Sequence, residues 1–206
     1  MAPDPPLPTQ KERIHSVSAR LFSETGYRST SMRDIAAAMG MKAGSLYTHI
    51  SGKEEVLWEI IGRIADEFDA AVQPALSASG TAAERLQLAL EAYMGVVTRN
   101  LEMATVLFTE WRQLPPERQA SIAARRDRVE GVFRTLLQEG VNSGELAADT
   151  PVKLTAILAL SGANWLPNWY QVGGSLSPQD LADAFAALLL KGALTRRPVD
   201  QAGEKS

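Results

Sequence analysis

Apolar residues recur three and four positions apart along almost the whole chain, which is the spacing of one face of an α-helix. The clearest stripe follows Lys53 and comprises Leu57, Ile60, Ile61, Ile64, Ala65 and Phe68. Glycine or proline interrupts the pattern where helices would end, at Gly26, Gly40, Pro74, Pro115 and Gly140. Because no segment convincingly alternates apolar and polar residues as a strand would, the sequence predicts an all-α fold of about nine helices.

Polar residues mark the starts of several of these helices. In each pattern a hydroxyl or carboxylate stands where it can accept a hydrogen bond from a free backbone N–H of the first turn. The helix-start patterns are Thr9-x-x-Glu12, Ser31-x-x-Asp34, Thr81-x-x-Glu84, Asp149-Thr150-Pro151 and Ser177-Pro178-x-Asp180.

Between residues 31 and 49 the pattern predicts two short helices joined by a turn at Gly40, the arrangement of a helix-turn-helix. Ile35, Ala36 and Met39 of the first helix are expected to pack against Leu46 of the second. The front of the second helix is small and its exposed side offers hydrogen-bond donors, which suits close approach to a DNA groove.

The candidate contacts to DNA fall in this second helix and at two helix N-termini, where backbone N–H groups and the helix dipole favour a phosphate. They are Ala43, Gly44, Ser45, Tyr47, Thr48 and His49 in the helix, and Thr30, Ser31 and Lys53 at the N-termini. An alternative is that Tyr47 and His49 only fill the gap between short helices. A metal site at His49 is not predicted, because the only other histidine, His15, lies in another helix.

The stretch from Ala19 to Ile61 resembles the N-terminal domain of the tetracycline-repressor (TetR) family of transcriptional regulators. The matching segments are Phe22…Gly26-Tyr27…Thr30-Ser31, Asp34-Ile35-Ala36, Gly40, Gly44-Ser45-Leu46-Tyr47-x-His49 and Lys53-Glu54. The resemblance implies a homodimer whose two recognition helices enter successive major grooves of a palindromic operator in double-stranded DNA. It also adds Lys42 to the expected DNA contacts. Lys42 stands where a capping Ser or Thr is usual in the family, and Ile50 stands where an aromatic residue is usual.

Charge separates the chain into a basic head and an acidic body. Residues 9–53 hold seven basic and three acidic side chains, whereas residues 54–206 hold fourteen basic and twenty acidic ones. A polyanionic partner is therefore expected for the head alone. The predicted division is a disordered leader at 1–8, the DNA-binding domain at 9–52, a ligand-binding and dimerisation domain at 53–197, and a disordered tail at 198–206.

Composition narrows the function classes. With 206 residues, 45% of them hydrophobic and 22% charged, the chain is long enough to bury a core without disulfides. It has no cysteine and only two histidines, so thiolate chemistry is excluded and we expect no metal, no cofactor and no catalytic site. No segment approaches a membrane span, and we expect a cytoplasmic protein without a membrane partner.

Two features of the body are candidates for a ligand site. Aromatic and amide residues cluster at Asn164, Trp165, Trp169 and Tyr170, and guanidinium groups that suit phosphate occur at Arg125 and Arg126. Together they resemble the acyl-CoA-responsive branch of the TetR family, in which an acyl chain lies in an apolar tunnel and the coenzyme A phosphates lie near basic side chains. Trp111 is assigned to the same predicted site.

The alternatives stay open at this point. The aromatic cluster can instead form a dimer or domain core, and Trp169 can belong either to the ligand pocket or to the dimer interface. The arginines can form a solvated face paired with Asp127 and Glu130. Dimerisation is expected through the last two helices, at Ala156, Leu160, Ala163, Leu181, Ala184, Phe185 and Leu188.

We expect a repressor that a small hydrophobic effector releases from DNA. There are four alternatives. The protein can be a regulator that responds to a different hydrophobic ligand (a drug or metabolite), or an activator. It can also be a non-specific architectural DNA binder or a helical acyl-CoA-binding enzyme.

Overall fold

The computed structural model describes residues 9–194, which form nine α-helices and three short 3-10 turns. The predicted leader (1–8) and tail (198–206) lie outside the described residues. The helices are α1 (Gln10–Thr25), α2 (Met32–Ala38), α3 (Ala43–Leu46), α4 (Lys53–Val72), α5 (Ala82–Arg99), α6 (Leu101–Glu110), α7 (Pro116–Ser143), α8 (Val152–Asn164) and α9 (Pro178–Leu194). The 3-10 turns are Gln73–Leu76, Trp111–Gln113 and Leu166–Asn168. The prediction of an all-α chain of about nine helices is confirmed for this described part.

The N-terminal head, α1 to α3, is a helix-turn-helix built on a small apolar centre. Ile14, Phe22, Ile35 and Leu46 are almost fully buried there. The predicted capping boxes at the starts of α1 and α2 are present. The turn at Gly40 has φ +67°, a backbone conformation that favours glycine.

The second helix of this motif is shorter than its sequence pattern suggests. Only Ala43–Leu46 is helical, and residues 47–49 continue as a turn. Its N-cap residue, Lys42, makes no side-chain capping bond, because an ammonium group has no acceptor to offer the free N–H groups.

Helix α4 connects the head to the C-terminal body. Its predicted stripe is buried, with Leu57, Ile60, Ile61 and Ile64 fully inaccessible to solvent. The helix packs against α1 of the head and against α5, α6 and α7 of the body. Helix α4 is therefore in contact with both the head and the body.

The body consists of α5 to α9 around the C-terminal half of α4. Two of its helix starts, at Thr81 and Ser177, have the predicted caps. The predicted cap at Thr150 is wrong. Helix α8 begins at Val152 with Pro151 as N-cap, so the Thr150 hydroxyl lies outside the first turn and has no hydrogen-bond partner among the described residues. Within residues 9–194, no helix has both the length and the apolar character needed to cross a bilayer.

Candidate functional site

The recognition segment, residues 42–49, presents most of its side chains to solvent. Leu46 is fully buried and anchors the segment to α2, while Tyr47 is 54% exposed. Lys42, Gly44, Ser45, Thr48 and His49 are exposed and Ala43 is half-buried. A Cβ added at Gly44 would meet no atom within 4 Å, so this position faces open space. The predicted DNA-contacting residues of the segment are therefore fully or partly accessible to solvent.

The hydroxyl groups near the recognition segment differ in whether they are available to contact DNA. Thr48 donates to the carbonyl oxygen of Ser45 at 2.7 Å, and the exposed Ser31 hydroxyl bonds the carboxylate of Asp34 at 2.6 Å. These bonds from the Ser31 side chain and backbone hold the pKa of Asp34 below its ordinary value. The predicted phosphate contact at Thr30 is not available in this structure, where its backbone N–H donates to the Gly26 carbonyl oxygen. Thr30 is 3% exposed, and its hydroxyl is used inside the head by the Gly26 carbonyl and the Thr25 hydroxyl.

Lys53, a second predicted phosphate contact, links α4 to the loop between α1 and α2. Its Nζ donates to the carbonyl oxygens of Tyr27 at 2.9 Å and Thr30 at 2.8 Å. The same Nζ lies 4.3 Å from the centre of the Tyr27 ring. Two of its three donors are therefore committed to the fold, and one remains for DNA.

Polar contacts between head and body were not predicted from the sequence. The Glu110 carboxylate at the end of α6 accepts a 3.2 Å hydrogen bond from the backbone N–H of Tyr27, and Arg28 donates to Gln113 at 2.9 Å. The loop that carries Tyr27 thus contacts both α4 and the end of α6. No local pattern reveals these pairs, because 83 and 85 residues separate the partners.

A cavity of about 240 Å³ lies in the body between α4, α5, α6, α7 and α8. Its wall is mainly apolar and aromatic on the α4 to α6 side and carries charged residues on α7. The lining residues are Ala65, Phe68, Tyr93, Leu107, Phe108, Ala123, Arg125, Arg126, Asp127, Val129, Glu130, Ile157, Leu160, Ser161 and Asn164. Three predicted ligand residues, Arg125, Arg126 and Asn164, are therefore brought together.

A buried tyrosine forms the polar end of the apolar wall. Tyr93 is 5% exposed, its hydroxyl donates to Oδ1 of Asn164 at 2.5 Å, and its ring stacks on Phe68 at a centroid distance of 4.4 Å. Burial raises the pKa of the Tyr93 hydroxyl above its ordinary value, so it stays a neutral donor. From the sequence alone, Tyr93 was predicted only as a residue on the apolar face of its helix. A tyrosine within such a stripe is a usable signal, because a buried hydroxyl requires a partner.

The two arginines of the cavity have partners other than those predicted. Arg125 donates to the carbonyl oxygen of Gly62 at 2.9 Å and lies 3.1 Å from the carboxylate of Asp66. Arg126 lies over the Trp111 ring, 5.2 Å from its centre. The expected pairing with Asp127 and Glu130 is wrong for Arg125, because its side chain crosses to α4.

The predicted aromatic cluster does not line the cavity. Trp165 is 63% exposed and Trp169 is 44% exposed, while Tyr170 is half-buried beside Trp169 in a shallow surface depression. Trp111 is half-buried behind Arg126 and does not line the cavity. The prediction of a cavity built from Trp165, Trp169 and Tyr170 is wrong in this structure, because α8 ends at Asn164 and the following 3-10 turn carries these rings away from the wall.

An exposed apolar stripe runs along α8 and α9. It comprises Leu154 (60% exposed), Ile157 (37%), Leu158 (68%), Trp165 (63%) and Leu188 (76%). Ala184, which was predicted at the dimer interface with Leu188, is also exposed. Ala156, Ala163 and Leu181, predicted there too, are buried within the chain instead, because these faces of α8 and α9 pack on the body. Leu160 and Phe185 are part-buried against the same core.

Comparison with known proteins decides the family. Residues 79–193 match the tetracyclin repressor-like C-terminal domain, and residues 14–60 match the bacterial regulatory proteins of the tetR family. The chain belongs to the TetR family. Residues 14–60 are the N-terminal part of a TetR-family transcriptional regulator, and the family and the matched relatives are regulators and not enzymes.

Similar regulators cover nearly the whole chain. The transcriptional repressor KstR2 of Mycolicibacterium smegmatis is 26% identical over 196 residues, which is 93% of this chain and 95% of that protein. The structure of the TetR-family regulator PfmR from Thermus thermophilus is 31% identical with a TM-score of 0.82, covering 93% of this chain and all of that one. AibR, whose structure was solved in complex with isovaleryl coenzyme A and operator DNA, is 27% identical in sequence with a TM-score of 0.74. The match covers 87% of this chain and 98% of that one.

Proposed function

We propose that this TetR-family regulator is a cytoplasmic homodimeric repressor that binds a palindromic operator and is released by an acyl thioester of coenzyme A. The observation that carries the proposal is the position of the cavity. The cavity is lined by Ala65 and Phe68 of α4, the same helix that connects the body to the head. A ligand that enters the cavity therefore contacts the element that holds the DNA-binding surface.

The chemistry of the cavity supports an acyl thioester. Phe68, Leu107 and Phe108 offer an apolar wall to an acyl group, and the Tyr93–Asn164 pair offers fixed polar atoms for a carbonyl. A volume of about 240 Å³ is smaller than typical ligand pockets of about 300–1,000 Å³, so only the acyl portion is expected inside. The coenzyme A phosphates then lie outside, near Arg125 and Arg126. The isovaleryl coenzyme A complex of AibR supports the same ligand class.

The recognition segment supplies the proposed contacts to DNA. Tyr47, Thr48 and His49 face the bases, with Ala43, Gly44 and Ser45 allowing close approach to the groove floor. Lys42, the N–H groups beside Ser31, and the remaining donor of Lys53 contact phosphates. The proposed domain boundary stays between residues 52 and 53, at the start of α4.

Dimerisation is proposed through the exposed stripe of α8 and α9. Two copies that bury Leu154, Leu158, Trp165 and Leu188 against each other remove a large apolar area from water. A two-fold dimer would place its two recognition segments about 34–36 Å apart, one turn of DNA, on the two halves of a palindrome.

The test is selection of duplexes from a random pool by the full chain at fixed salt, followed by fluorescence anisotropy with acetyl-, isovaleryl- and octanoyl-coenzyme A. We expect enrichment of one palindrome and release by at least one thioester. Selective DNA binding that no thioester changes would support a DNA-binding regulator and refute a coenzyme A thioester as its effector. Enhanced binding with thioester would refute repression by release and indicate an effector-dependent DNA binder.

A further inference from the structure

Arg125 contacts three successive turns of α4 from its position on α7. Its Nη1 donates to the Gly62 carbonyl oxygen at 2.9 Å and lies 3.1 Å from Oδ1 of Asp66, and its guanidinium lies 5.6 Å from the centre of the Trp58 ring. The same side chain lines the cavity and is only 20% exposed. One group therefore faces both the ligand space and the helix that carries the head.

Gly62 is the sequence feature that admits this contact. Glycine in a helix interior is about 1 kcal/mol less favourable than alanine, and Gly62 lies in the middle of the 20-residue helix α4. A Cβ at this position would lie 3.3 Å from Nη1 of Arg125, closer than an ordinary van der Waals contact. The glycine thus leaves room for the guanidinium to reach the backbone of α4.

Arg128 provides a matched contrast on the same pair of helices. Its Nε donates to the carboxylate of Asp69 at 2.8 Å, so it also joins α7 to α4. Its side chain is 51% exposed, and it is not one of the described residues that line the cavity. The two arginines therefore differ in access to the ligand and not in the type of ion pair.

We infer that Arg125 is the residue through which the effector acts on α4. A thioester carbonyl in the cavity, or a coenzyme A phosphate just outside it, competes with the Gly62 carbonyl and Asp66 for the donors of the guanidinium. When the guanidinium turns to the effector, α4 loses this one of its ties to α7, and the head leaves the arrangement that binds the operator. This inference rests on the function proposed above and adds the residue that couples ligand to DNA.

The experiment measures two quantities in the full chain and in the variants Arg125→Gln, Arg125→Lys, Gly62→Ala and Arg128→Gln. The first is the Kd of each coenzyme A thioester, by titration calorimetry. The second is the ratio of operator Kd with and without saturating thioester, which in allosteric proteins is typically about 5- to 150-fold. Circular dichroism verifies that each variant is folded.

We expect the operator Kd ratio of Arg125→Gln to fall to within about twofold of one even at saturating thioester, while Arg128→Gln keeps a ratio within about threefold of the parent chain. Arg125→Lys restores part of the ratio, because it retains the charge without the planar donors. Gly62→Ala lowers the ratio while keeping the arginine, and it serves as the test if Arg125→Gln does not fold. A residue with a merely structural role would change stability without changing this ratio.

The inference is overturned if Arg125→Gln keeps the operator Kd ratio of the parent chain, or if Arg128→Gln loses the ratio to the same extent. Either result leaves the proposed function intact. If no thioester changes operator binding by the parent chain, the proposed effector function fails and the inference fails with it.

Discussion

The head and the α4–α7 contact of the body are held by different kinds of interaction. In the head, fully buried apolar side chains such as Ile35 and Leu46 fix the recognition segment, and local capping boxes fix the helix starts. Between α4 and α7, ion pairs continue along the surface, from Arg118 with Glu55 at 2.6 Å to Arg128 with Asp69 at 2.8 Å. Close-packed apolar contacts resist small changes of geometry, whereas each of these partly exposed ion pairs contributes little to stability. We therefore expect the DNA-binding surface to keep its shape and its attachment beside the cavity to adjust.

The largest expected effect comes from breaking the apolar centre of the head. Leu46→Ala removes a fully buried side chain, and we expect the free energy of unfolding to fall by about 2–5 kcal/mol. Urea denaturation followed by circular dichroism measures the change. Tyr47→Ala is the matched neighbour. Because Tyr47 is 54% exposed, its loss should alter stability by less than about 0.5 kcal/mol while weakening operator binding. Equal destabilisation by both variants would contradict a head fixed by Leu46.

The next effect tests the exposed stripe of the body. Leu158→Asp places a charge on the proposed dimer face, and we expect a monomer whose operator affinity is about 100-fold lower, because the second head no longer binds with the first. Sedimentation velocity and anisotropy measure the two properties. The control is Leu88→Asp, which alters an exposed leucine of α5 outside the stripe. A dimer that persists in Leu158→Asp but not in Leu88→Asp would place the interface elsewhere.

The smallest effect is a pH dependence at the contact between α1 and α4. Desolvation raises the pKa of Glu59, but hydrogen bonds from Lys11 and His15, each 2.7 Å long, outweigh it and hold the pKa below its ordinary value. A carboxyl whose folded pKa is depressed stabilises the fold above its unfolded pKa, and this contribution is lost as pH falls through the folded pKa. We therefore expect Glu59→Gln to reduce the loss of stability on acidification below about pH 5 by about 1 kcal/mol or less.

Urea unfolding at several pH values measures the effect. Glu24→Gln is the control, because its pair with Arg20 is exposed at the head surface. A pH profile of Glu59→Gln that matches the parent chain would show that this carboxylate contributes nothing to the contact.

The head was largely predictable from the sequence, and the cavity was only partly so. Capping boxes and the turn at Gly40 are local patterns, so the helices and the exposed recognition segment followed from them. The faces that α8 turns toward its own chain depend on packing across distant residues. For this reason Ala156 was assigned to the dimer face although it is buried within the chain, and Trp165 was assigned to a cavity that it does not line. Tyr93 was overlooked as a site residue because its partner, Asn164, is 71 residues away.

If a ligand inside the body cavity controls the head, a variant that fills the cavity should abolish that control. Ala123→Trp places an indole at a half-buried lining position of α7, whereas Ala124→Trp adds the same group at the exposed neighbouring position. The measurement is fluorescence anisotropy of the selected operator duplex during titration with coenzyme A thioesters. We expect that Ala124→Trp is released like the parent chain and that Ala123→Trp stays bound to the operator. Release of Ala123→Trp at the same thioester concentration as the parent chain would contradict control through this cavity.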